Sequence, residues 1–223
     1  MDQPRRLAIA AGTLYLVTVL TSIPALALKA PLLGEPASLA GAAGHQRLVL
    51  AAALEIVLAF ACLGTAIALL PIVRRVDEAA AFGFVGSRTL EAMTILVGVV
   101  AMLTLLRVPP GVGVGEALIG LHDWAFLIGP GLIPAVNALL LAPPLYRSRL
   151  VPRALPMLGL VGAPLLIGSV LATLLGLVDQ VSPLAGLAAL PIAAWEIGLG
   201  LWLVAKGFRS EAITRLDLRP SAQ

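Results

Sequence analysis

Six long apolar runs divide the chain, at about residues 7–28, 47–73, 82–106, 117–142, 155–178 and 187–205. A helix needs about 20 apolar residues to cross the hydrocarbon core of a bilayer. Each run is close to that length or exceeds it, and short polar segments separate them. None keeps the strict alternation of a half-buried strand, so the pattern predicts an all-α, polytopic helical bundle of six transmembrane helices forming one integral membrane domain. The first run follows Arg5-Arg6 and ends in Ala25-Leu26-Ala27, which mimics a small-residue cleavage site. It is longer than the about 7–15 apolar residues of a signal peptide, which favours an uncleaved span. Pro24 is expected to kink or end it, with a loop over residues 29–44. The segments 107–116, 146–153 and 179–183 read as further loops or turns.

Six spans put both termini on one side. That side receives Arg5, Arg6, Arg74, Arg75, Arg147, Arg149, Arg153, Lys206, Arg209, Arg215 and Arg219, and the other receives Lys29 and Arg107. The excess of cations predicts cytoplasmic termini and a place in the cytoplasmic membrane. Composition agrees: 60% of the 223 residues are hydrophobic and 12% charged, with a mean hydropathy of +1.02. One water-soluble core of this size could not hide so much apolar surface. The pI of 9.6 then reflects cations that set topology and meet anionic lipid heads, not a nucleic-acid partner. The single Cys62 excludes an internal disulfide.

The polar groups inside the runs carry the candidate chemistry. The fourth run holds His122, Asp123 and Asn137 and is interrupted by Gly129-Pro130-Gly131 and Pro134. The interruption is either an unwound break of the kind that lines transporter sites or a proline kink healed by its neighbours. Arg88 and Glu91, three apart, are neighbours on a helix. They form either a pair that anchors the third span near the cytoplasmic surface or a binding or gating element. Glu55 and Glu196 have no sequence-local partner, and each is either packing glue or a functional acid. From outside inward the candidate binding groups are His122, Asp123 and Glu55, then Glu196, then Asn137, Glu91 and Arg88. The first and fifth spans, without charge, are expected to face lipid or a partner chain. Gly159/Ala163 and Gly168/Ala172 suit close helix packing within the chain or in a homo-oligomer. The segments 68–86 and 140–162 share a weak internal repeat.

His45 and His122 lie near the outer ends of different spans, but no metal-ligand spacing accompanies them, so neither metal nor cofactor is expected. No nucleophile elbow, phosphate loop or dinucleotide fingerprint is present, which leaves no catalytic residue to name.

A wider set of residues adds to this. Leu14-Tyr15-Leu16, Ile23-Pro24, Leu54-Glu55, Gly64-Thr65-Ala66, Ser87-Arg88, Leu90-Glu91-Ala92, His122-Asp123-Trp124, Gly129-Pro130-Gly131, Asn137-Ala138-Leu139-Leu140, residues 146–153 and Trp195-Glu196 together resemble the bacterial membrane family called domain of unknown function 4386. The resemblance implies a six-span bacterial membrane protein and brings a catalytic role to no residue. Two functions fit the residues. One is binding or transport of a small solute, cation or proton along an intramembrane polar track. The other is a non-catalytic scaffold or regulatory partner. An enzyme acting on lipid or quinone has no motif behind it, but a lipid-open cleft at His122-Asp123 would favour it.

Overall fold

The computed structural model describes residues 2–35, 41–108 and 113–218, all helical or connecting, with no strand among them. Arg219 and Gly111-Val112 of the glycine-rich segment lie outside the described residues. The helices are α1 (Gln3–Gly34), α2 (Ala42–Val73), α3 (Glu78–Leu105), α4 (Gly113–Phe126), α5 (Ile133–Ser148), α6 (Ala154–Leu174), α7 (Pro183–Ala205) and α8 (Ser210–Asp217). A π-helical turn, Leu127–Leu132, joins α4 to α5, so the two make one span from Gly113 to Ser148. Six helical segments are thus long and apolar enough to cross a membrane.

Local chemistry fixes most of the helix ends. The Asp77 side chain accepts from Ala80 N at 3.0 Å and starts α3 four residues earlier than the apolar run suggests. Ser182, followed by Pro183, does the same for α7. Arg149, at φ 58°, takes the left-handed conformation that ends α5. At α7's C-terminus, Arg5 donates to the carbonyls of Leu203 at 3.1 Å and Val204 at 2.7 Å. A cation expected to set topology therefore also satisfies carbonyls that have no partner within their own helix.

One expectation about the first span changes. α1 does not end at Pro24: it runs through Pro24 and Pro31 to Gly34, so Lys29 sits on the helix and not in a loop. A proline costs one backbone hydrogen bond, which a packed bundle tolerates. The expected outward face of α1 remains, since only 33% of its most apolar stretch is buried inside the chain, and α6, the fifth span, is similar at 28%. The inner face of α1 is nonetheless used. It packs along α2 and α7, burying Ala8, Ala11, Tyr15, Thr18, Ala25 and Lys29. The helices close a ring in the order α1, α2, α3, α5, α6, α7 and back to α1. The fourth run is not unwound at Gly129-Pro130-Gly131. One wide turn absorbs the proline, and Ile133 N bonds Gly129 O across it. Gly113 and Gly115 belong to the start of α4 rather than to a turn.

The ring closes where two glycines meet. A Cβ on Gly12 would lie 2.7 Å from Gly200 O, and one on Gly200 would lie 3.2 Å from Gly12 O. Gly12→Ala is therefore expected to push α1 from α7 and destabilise the protein by about 1–3 kcal/mol. Gly168, whose Cβ would meet nothing within 4 Å, is the control: Gly168→Ala should leave the melting temperature in detergent unchanged. Gly159/Ala163 is used inside the chain, because a Cβ on Gly159 would sit 3.2 Å from the Trp195 ring.

Candidate functional site

Polar side chains gather at two levels of the bundle instead of forming one graded track. The first cluster is centred on Arg88, whose residue is 1% exposed. Its Nη1 donates to Glu91 Oε2 at 3.0 Å, and its Nη2 donates to Glu196 Oε1 at 2.5 Å. Asn137 Nδ2 donates to the same Glu91 oxygen at 2.7 Å. The guanidinium also lies 3.6 Å from Cys62 Sγ, and 5.1 and 5.6 Å from the ring centroids of Tyr15 and Phe84. Five helices, α1, α2, α3, α5 and α7, each contribute a side chain. A planar fork that stacks on aromatics and bridges two acids suits arginine and no other cation. Arg88 Nε and Asn137 Oδ1 are buried without a hydrogen-bond partner among the described residues. Arg88 does not reach toward a surface, as the snorkelling alternative required. Glu196 belongs to its ion pair and not to a separate layer above it.

The second cluster lies toward the end of the bundle opposite the termini. Lys29 Nζ pairs with Glu55 Oε1 and lies 3.0 Å from His122 Nε2. It also stands 4.3 Å from the centroid of the Phe126 ring, on which the His122 ring stacks at 6.1 Å. His122 Nδ1 is 3.0 Å from Asp123 Oδ1. An ammonium has only donors, so Nε2 accepts and Nδ1–H donates to Asp123. The histidine thus links a half-exposed carboxylate to a buried ion pair. A cavity of about 10 Å³ touches Lys29, Glu55 and His122, room for about one water.

Glu55 and Cys62 are seven residues apart on α2, about 10 Å along its axis. Leu58, Ala59 and Ile95, all buried, fill the level between the clusters. Of the residues expected to bind, Arg88, Glu91, Asn137 and Glu196 come together, and so do Glu55 and His122 with Asp123 at their edge. Asp123 is exposed and Asn137 buried. His45 is exposed and far from the buried His122 in burial and role. Among the described residues no group of three histidine, cysteine or acidic side chains is placed to hold a metal. Sequence reasoning missed Lys29 and Tyr15. Both fall on the heptad spacing of Ala8, Tyr15, the half-buried Ser22 and Lys29 beside the buried Ala11, Thr18, Ala25 and Leu32, a seam that runs straight past Pro24.

A ring of six lipid-length helices with ion pairs at its centre defines a polytopic membrane protein. The chain belongs to the family described as domain of unknown function (DUF4386), which it matches over residues 10–207. That stretch takes in both clusters and all but the first turns of α1. No curated protein and no solved structure matches the chain.

Proposed function

We propose that the protein resides in the bacterial cytoplasmic membrane with its termini on the cytoplasmic side, and that it binds and passes protons through its buried carboxylates. One observation carries this reading: Arg88 is a single buried cation held between two acids inside the bundle, the buried Glu91 and the partly buried Glu196. Burying an uncompensated charge is costly, so the cluster calls for one further positive charge. A proton shared between the carboxylates supplies it and can leave when the pair is remodelled. The Lys29–Glu55 pair, joined through His122 to Asp123, is the station nearer the outer surface, and a shift of Leu58 and Ile95 would connect the two.

The test is proton flux. The full chain is reconstituted into liposomes holding a pH-sensitive dye, and a potassium diffusion potential is imposed with valinomycin. Wild type should acidify or alkalinise the lumen according to the sign of the potential. Glu91→Gln and Glu196→Gln should each slow this by at least about tenfold, the scale of a lost relay group. No flux in wild type, or unchanged flux in both variants, defeats the reading. The close packing around the Lys29–Glu55 pair, where a cavity of about 10 Å³ adjoins both side chains, favours the other reading, a scaffold or regulator whose ion pairs only lock helices together. In that case the two variants change folding yield and no flux exists to lose.

A further inference from the structure

A lateral cleft opens between α1, α4, α6 and α7 at the end opposite the termini. Two cavities, of about 350 and 220 Å³, share Leu26, Phe126, Gln180 and Val181 and so adjoin as two limbs of one cleft. The larger limb reaches His122 and Asp123, and the smaller runs inward past Pro130 to Leu166. We infer that this cleft binds one glycerophospholipid with an ammonium headgroup, its head at Asp123 and one chain in the inner limb.

The lining changes with depth in the order of such a molecule. At the mouth stands the Asp123 carboxylate, its side chain 54% exposed, with Gln180 donating to the Asp123 carbonyl at 3.3 Å. Thr173 and Ser169, one turn apart on α6, come next and match ester oxygens in depth. Beyond them the walls are apolar, and Leu166 lies about 10 Å further in than Thr173 along the α6 axis. A groove at this depth faces hydrocarbon, where an acyl chain fills it and water does not.

Charge selects the head. Among the described residues, no lysine or arginine lines either limb. Lys29, which touches His122 from behind, is held by Glu55. Asp179, exposed and next in the chain to the lining residue Gln180, adds a second negative charge to that loop. A phosphoglycerol head would bring its net charge against these acids, whereas an ethanolamine places its ammonium on Asp123 with its phosphate turned to water.

Native mass spectrometry of the full chain, purified in a neutral maltoside detergent, reads the site with phosphatidylethanolamine and phosphatidylglycerol of matched chains as probes. Phosphatidylethanolamine should be retained about fivefold better, as one interfacial charge pair allows. Asp123→Asn should abolish that preference, and its exposed position lets the variant fold. Gly186→Leu, whose side chain would project into the inner limb because a Cβ there meets nothing within 4 Å, should lower retention of both lipids. Dodecylamine should displace phosphatidylethanolamine from wild type. Equal retention of the two lipids, a preference that survives in Asp123→Asn, or full retention in Gly186→Leu overturns the proposal.

Discussion

Arg88→Met is expected to be the most damaging single substitution in the bundle, costing about 3–5 kcal/mol of stability. It removes the one cation between Glu91 and Glu196 and leaves both acids inside, with Asn137 the only other side-chain donor to Glu91 among the described residues. The loss is read as a fall in the midpoint of thermal unfolding in detergent, followed by fluorescence of Trp195, which is buried next to Glu196. Two companions make the result specific. Arg88→Met with Glu91→Gln and Glu196→Gln should recover most of the loss, because no charge is then stranded. Glu91→Gln or Glu196→Gln alone should cost far less than Arg88→Met, because each leaves one cation with one anion. Equal damage from all three single variants would mean that the cluster contains no surplus acid.

The second large effect is expected at Lys29. Were it a loop residue, Lys29→Met would change stability by no more than about 0.5 kcal/mol. Its residue is 2% exposed and that of Glu55 5%, so the substitution strands a buried carboxylate, and the expected loss is again about 3–5 kcal/mol. A double-mutant cycle with Glu55→Gln, followed by circular dichroism during titration with dodecyl sulfate, isolates the pair. The double variant should be more stable than Lys29→Met alone, and His122→Gln should weaken the measured coupling because Nε2 also contacts the ammonium. Simple additivity of the two single losses would return Lys29 to the loop.

The spans were legible because lipid demands length and apolarity, and both are written locally. So was the Arg88–Glu91 contact, since a spacing of three fixes neighbours on any helix. The meeting of Arg88 with Glu196, 108 residues later, was not. It depends on how α3 and α7 are turned about their axes, which apolar sequence records only faintly when nearly every face is hydrophobic. Lys29 was hidden by two local cues that competed with a longer one. Pro24 reads as a helix end, and a cation between two apolar runs reads as a topology signal, yet the heptad seam from Ala8 to Leu32 continues through both. The Gly129-Pro130-Gly131 sequence permits either an unwound break or a π turn. Contact with α3 decides: a Cβ on Gly129 would fall 2.3 Å from Thr94 Oγ1, so the glycine serves close packing rather than an open backbone. The Asp123 cleft needs four helices to exist and has no sequence signature at all.

The closure of the ring between α1 and α7 has a bearing on biogenesis. α1 leaves the ribosome well before α7, so it finds its Gly200 contact, and the Arg5 side chain finds the carbonyls of Leu203 and Val204, only when α7 arrives. Glu196 reaches Arg88 at the same moment. Until then one edge of α1 is uncovered and Arg88 lacks its Glu196 partner. α7 thus acts as a latch: the insertion machinery has to keep the earlier helices together until it is in place, and a chain cut short before it lacks the partner that seals the core.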